Sequence, residues 1–202
     1  MQLEQLRLGF LCSHNGSTMQ AIVEACVEGR LSAKPAVVIS NNSGSFAVQR
    51  AKQMGIPSFH LSSKAYPKTA RLDQKISETL ANHNVNLVIL AGYMRLLGPI
   101  TLGRYKNRIL NTHPSLLPNF GGKGMYGKFV HEAVLASENS VTGATIHLVN
   151  EQYDKGAIIA QVEIPILDGD STESLMERVR QQERKLYVTT LQQIANGHIL
   201  LD

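Results

Sequence analysis

The 202-residue chain has only two cysteines, Cys12 and Cys26. That is too few for a disulfide framework or a thiolate zinc cluster, so both read as buried structural thiols and no redox compartment follows. No apolar run approaches the roughly 18 to 20 residues that a membrane helix requires. The opening MQLEQLRLGF has an acid and glutamines where a secretory signal carries a basic patch before an apolar stretch. A soluble, cytoplasmic protein with no membrane partner is therefore expected. Internal repeats, low-complexity tracts and linkers are also missing. Charged residues make up only 18% of the chain against 43% hydrophobic ones, which excludes intrinsic disorder and leaves enough apolar mass for a core. One domain over residues 1–202 is the expectation. The 20 basic and 16 acidic residues give a formal charge of +4, but Lys and Arg are dispersed along the chain. A nucleic-acid partner is therefore not expected, and the balance suits a small phosphorylated substrate.

What is present is an alternation of short apolar runs with helical patterns, the signature of a mostly parallel, twisted α/β sheet flanked by helices. Strands are predicted at 7–12, 35–40, 58–61 and 86–91, then at 108–111, 144–149 and 157–166. Helices are predicted at 17–28, 44–54, 69–83, 127–138 and 171–195. Asp170 and Glu173 stand in capping-box spacing at the start of the last helix. Segment 112–126, THPSLLPNFGGKGMY, is too rich in Gly and Pro for either element, and long loops of this kind in compact domains are usually functional.

Three places could carry chemistry. The turn SHNGST at 13–18 joins a strand to a helix, where free backbone N–H groups favour an anion and Gly16 permits close approach. It lacks both GxGxxG and the Walker lysine, so a purely conformational glycine is the commoner reading. The stretch ILNTHPSLLPNFGG at 109–122 delivers Asn111 and His113 on one face of a strand to its C-terminal edge, where ligands of open parallel sheets bind. An amide beside an imidazole suits acyl chemistry: Asn111 can donate to an oxyanion, and His113 can donate a hydrogen bond or move a proton. Asp154, in the turn NEQYDKG, is the carboxylate that could raise the pKa of His113, although a solvated turn-initiating Asp is equally common. His131 and His147 have no metal-ligand spacing, and His147 reads as a packed or surface strand residue. No metal site is expected.

The chain resembles the phosphoribosylglycinamide formyltransferases, also called glycinamide ribonucleotide transformylases. The matching pieces run in family order: SHNGST, ISNN, LAGYMRLL at 90–97, NTHPSLLP at 111–118, TGATIHLVNEQYDKG at 142–156 and DGDSTESLMERVRQQE at 168–183. The resemblance implies a Rossmann-like formyltransferase fold and transfer of formyl from 10-formyltetrahydrofolate to the amine of glycinamide ribonucleotide, with Asn111, His113 and Asp154 as the catalytic trio. It implies ribonucleotide binding by Gly16, Ser17, Thr18, Met19 and Gln20, with Arg180 and Glu183 near the phosphoribosyl group. It places the folate against Met94, Arg95, Leu96 and Leu97 and against the turn from Asn150 to Asp154. The N-terminal half would thus bind phosphate, and the C-terminal half would be catalytic and folate-binding. Without the resemblance, Met94, Leu96 and Leu97 read as ordinary core, and Arg180 and Glu183 as an exposed helical pair. The Gly-rich loop beyond Pro118 reads as a mobile cover. Alternatives are a sugar amine, methionyl-tRNA or water as acceptor, or a non-catalytic nucleotide-binding module. A monomer and a homodimer are both compatible.

Overall fold

The computed structural model describes residues 5–201. In chain order the elements are β1 (Leu6–Cys12), α1 (Ser17–Val27), β2 (Ala33–Ser40), α2 (Phe46–Gln53), β3 (Ser58–His60), α3 (Thr69–Asn82) and β4 (Leu87–Leu90). They continue with α4 (Pro99–Arg104), β5 (Ile109–His113), α5 (Lys128–Leu135), β6 (Val141–Leu148), β7 (Ile158–Pro165) and α6 (Thr172–Ala195). One sheet of seven strands runs β3-β2-β1-β4-β5-β6-β7. The first five are mutually parallel, and β6 and β7 are antiparallel to their neighbours.

β1 and β4 form the middle of the sheet because neither alternates polar with apolar residues, which is the pattern of strands covered on both faces. On one face Leu8, Phe10 and Leu87 pack with Met19 and Ile22 of α1 and with Tyr187 and Leu191 of α6. On the other, Leu11, Val88 and Ile109 pack with Ile76 and Leu80 of α3. The Tyr187 hydroxyl lies 3.2 Å from the carbonyl oxygens of both Leu90 and Leu110, so the longest helix is tied to β4 and β5 by a buried hydrogen bond. β2 and β3 spread from one side of β1, and the chain then crosses back to lay β4 on its other side. Strand order therefore reverses between β1 and β4, where open α/β sheets make a crevice.

Three local differences from expectation have clear causes. α4 has no apolar periodicity and opens on Pro99 after Gly98, so its sequence reads as loop. Its first turn is instead capped from α3, where the buried Asp73 carboxylate accepts from Ile100 N, Thr101 N and the Thr101 hydroxyl. The capping box of α6 lies one residue later than the Asp170/Glu173 spacing suggests: Ser171 accepts from Ser174 N, and the Ser174 hydroxyl accepts from Ser171 N. Asp170 is held instead by two 2.7 Å bonds from Arg178, a bidentate pair that keeps its carboxyl well below the usual range. Finally, β5 runs on to His113 rather than stopping at residue 111, because β6 pairs with it as far as Thr145.

Candidate active site

Alternation along β5 places Ile109, Asn111 and His113 on one sheet face, and the antiparallel register sets His147 opposite Asn111 and Thr145 opposite His113. That face carries α3 and α4 near the middle of the sheet. His147 Nδ1 is 2.8 Å from the Leu148 carbonyl oxygen, so it carries the proton and donates there. Nε2 is then an acceptor, and it takes a 3.1 Å bond from the Asn111 amide. Asn111 is thus oriented by a buried imidazole, with its other N–H and its carbonyl free of partners among the described residues.

The β6–β7 connection folds back onto the same face. Asn150 Oδ1 accepts from Gln152 N to close the turn, Asp154 adopts φ +55°, and a side chain on Gly156 would collide with the Leu148 backbone. The turn drops the Asp154 carboxylate between two imidazoles: Oδ2 is 3.5 Å from His113 Nδ1, and Oδ1 is 3.5 Å from His147 Nε2. The Gly-rich loop closes the other side. His113 Nε2 donates to the Phe120 carbonyl at 2.7 Å, and Gly122 N donates to Asp154 Oδ2 at 2.8 Å.

Burial pushes the His113 imidazole below the ordinary histidine range and outweighs the Asp154 charge and the Phe120 carbonyl, which pull it up; His147 adds to the depression. Asp154 thus acts on His113 in the expected direction, but the imidazole of the ligand-free protein is neutral at physiological pH. Burial pushes Asp154 up, yet the neighbouring His147, the Gly122 N–H and His113 outweigh it, so its carboxyl lies below the usual carboxylate value. The cluster is therefore poised as a carboxylate beside a neutral His113 ring.

The turn at Gly16 has the backbone form expected of a glycine between a strand and a helix. Gly16 is left-handed, with φ +67°, and caps α1 without a side-chain hydrogen bond. A Cβ on Gly16 would lie 2.6 Å from Ala47 Cβ and 2.9 Å from Ala47 Cα, so α2 packing alone requires glycine here. Ser17 and Thr18 are half-buried. Met19 is fully buried in the core, and Gln20 directs its side-chain amide to Glu24, so neither presents a side chain to a ligand. On α6, Arg180 is exposed, whereas Glu183 is half-buried and lies beside Thr112 of β5, the neighbour of His113. Burial, the largest influence, holds its carboxyl above the usual range. The exposed-pair reading therefore fails for Glu183.

Of the loop after β4, Leu97 is core, but Met94 and Leu96 are 43% and 57% exposed, and Arg95 also faces solvent. The core reading thus holds for Leu97 alone. Asn150 uses its carbonyl to form the turn that carries Asp154. The residue missed by sequence reasoning is His147, which orients Asn111 and flanks Asp154. Its two-residue alternation with Thr145 was visible, but the antiparallel register that sets it opposite Asn111 was not. Among the described residues, no group of three or more His, Cys, Asp or Glu is arranged to hold a metal ion.

An amide donor, a buried imidazole and a carboxylate converging at the C-terminal edge of an open α/β sheet define the class: a domain equipped for acyl or one-carbon group transfer at a carbonyl. The comparisons narrow this class. The formyl transferase profile matches residues 6–191, and the chain belongs to that family. It is 37% identical to the phosphoribosylglycinamide formyltransferase of Haemophilus influenzae over 96% of this chain and 90% of that one. It is 32% identical to the enzyme of that name from Escherichia coli, over 94% and 87%. The crystal structure of glycinamide ribonucleotide transformylase 1 from Symbiobacterium toebii superposes with a TM-score of 0.91 at 37% identity, covering 98% of this chain and 91% of that one. A formyltetrahydrofolate deformylase from Pseudomonas syringae, at 23% identity and TM-score 0.88 over 100% of this chain and 65% of that one, shares the fold alone.

Proposed function

We propose that the protein transfers the formyl group of 10-formyltetrahydrofolate to the amine of glycinamide ribonucleotide, in purine synthesis. The observation that carries the chemistry is the convergence of Asn111, His113 and Asp154, with His147 behind them. The acceptor follows from the whole-chain likeness to relatives that bear that enzyme's name. The amine attacks the formyl carbon directly, and its C–N bond forms as the carbonyl oxygen becomes an oxyanion. Asn111 donates its free N–H to that oxygen. His113 donates a second bond, its Nε2–H turning from the Phe120 carbonyl, which in the ligand-free protein occupies the place of an acceptor. The oxyanion charge adds to that of Asp154 in favouring imidazolium, so His113 gains proton affinity in the step that needs it. The attacking nitrogen loses one proton and the folate nitrogen gains one as its bond to the formyl carbon breaks, with the Asp154 carboxylate as the relay. No net proton is consumed when the amine enters unprotonated.

In this reading the N-terminal half seats the phosphate on the backbone N–H groups of Gly16, Ser17 and Thr18, with Arg180 and Glu183 beside the phosphoribosyl group. Arg95 and the exposed Met94 and Leu96 line the folate side with the turn from Asn150 to Asp154, and the C-terminal half supplies the chemistry. The reactants are soluble metabolites, and the reading places the reaction in the cytoplasm. The reading is compatible with a monomer and with a homodimer. The test is a spectroscopic folate-product assay offering glycinamide ribonucleotide or an amino sugar. Turnover with the ribonucleotide is expected, and turnover with the sugar alone would overturn the choice of acceptor.

A further inference from the structure

β1, β2 and β3 end side by side, and the loops that follow them line an open cavity of about 750 Å³. It lies on the opposite side of β1 from β5, and none of its lining residues belongs to the Asn111–His113–His147–Asp154 cluster, although Ser13, His14 and Asn15 are the start of the turn that leads to Gly16. Its floor is prebuilt. The Ser13 hydroxyl donates to Asn41 Oδ1 at 2.6 Å, Asn42 Nδ2 donates to the Ser13 carbonyl at 2.6 Å, and the Ser45 hydroxyl donates to the His14 carbonyl at 2.8 Å. Ser13 also accepts from Met94 N at 2.8 Å, so the floor is anchored to the loop after β4. No Asp or Glu lines the cavity, whereas Lys64, His14 and His60 do. Lys64 makes no salt bridge among the described residues. Phe46 opens α2 with 59% of its surface exposed and is the aromatic carbocycle among otherwise polar lining residues.

These features describe one kind of guest. An acid-free rim with an unpaired ammonium suits a phosphate, the exposed Phe46 ring suits a flat aromatic ring, and the Asn15 carboxamide suits the edge of a base. The volume falls within the range of small-molecule sites and accommodates a mononucleotide. We infer that this cavity is a second ligand site, separate from the catalytic cluster, which binds a nucleoside monophosphate with its base on Phe46 and its phosphate on Lys64.

The test uses the full chain and adenosine 5′-monophosphate as probe, read by isothermal titration calorimetry. Saturable binding of one equivalent is expected. Phe46→Ala should weaken it about tenfold or more, the scale of a lost stacking face, and Lys64→Ala should weaken the monophosphate but not adenosine. Both side chains are exposed and outside the catalytic cluster, so both variants should retain wild-type formyl transfer, which confirms folding independently. Arg180→Ala should leave binding of the probe unchanged. Absence of saturable binding up to millimolar probe would overturn the inference, as would inorganic phosphate binding as tightly as the nucleotide. So would binding lost with Arg180→Ala but kept in Phe46→Ala, which would place the nucleotide in the proposed ribonucleotide site.

Discussion

Replacing Asp154 with Asn isolates the charge at the centre of the cluster. Asn keeps an oxygen to accept from Gly122 N, which bonds Asp154 at 2.8 Å, and it tolerates the left-handed φ of +55°. The turn is therefore retained and only the charge is lost. Across the 3.5 Å between Asp154 Oδ2 and His113 Nδ1, two unit charges attract by about 1.2 kcal/mol in bulk water and about 4.7 kcal/mol at an effective dielectric of about 20. Even the lower figure shifts the imidazolium equilibrium about sevenfold. His113 already titrates below the ordinary range because it is buried, so in the variant it should titrate lower still. The rate should fall on the ~10²-fold scale or more of acid–base catalysis. The assay is NMR of ring-labelled histidine across pH, with kcat against pH in parallel. A merely disordered turn would depress the rate at every pH without moving the ring. An unchanged His113 titration refutes the pairing even if the variant is inactive.

Asn111→Ala should lower kcat about 100 to 1000-fold with little change in KM, the scale of one lost oxyanion donor; a variant with wild-type kcat and weakened ribonucleotide binding would move Asn111 to recognition. Gly121→Ala presses a methyl group against the Leu117 side chain and within 3.4 Å of Asp154 Cβ, so formyl transfer should slow while thermal stability changes little, and an unaffected rate would remove the loop from the chemistry. Gly16→Ala should cost about 1 to 3 kcal/mol in urea unfolding, because the methyl group meets Ala47 and φ is positive. The phosphate seat is therefore tested by Arg180→Ala, which should raise KM for the ribonucleotide and not for the folate. His131 is buried with an unpartnered Nδ1, and burial, then the charges of Arg180 and His113, push it down to about 4. Its stabilising effect is complete above the unfolded value near 6.5 and is lost as pH falls from there to about 4. His131→Gln should flatten the stability–pH slope in that window by up to about 1.4 kcal/mol per pH unit, and an unchanged slope would refute the buried neutral ring.

The fold was legible where one local signal dominates. The unalternating runs of β1 and β4 mark central strands, and the turn at Gly16 marks the first crossover. α4 was hidden because its cap is Asp73, distant in sequence. The α6 box lay one residue from its expected place because Arg178 claims Asp170. In the site, Asn111 and His113 follow from strand alternation and Asp154 from family resemblance, but the bond from Asn111 to His147 depends on strand register, which no local pattern encodes. The neutral state of His113 was hidden for a related reason. A carboxylate neighbour gives the sign of one contribution, and only the three-dimensional burial shows that desolvation exceeds it.

The most direct measurement follows the formyl carbon itself. With 10-formyltetrahydrofolate carrying ¹³C in the formyl group, glycinamide ribonucleotide and catalytic protein, ¹³C NMR should show the label moving to the formamide on the ribonucleotide, and His113→Ala should slow that transfer steeply. Label released as free formate, at a rate indifferent to the ribonucleotide, would contradict direct attack by the amine and make water the acceptor.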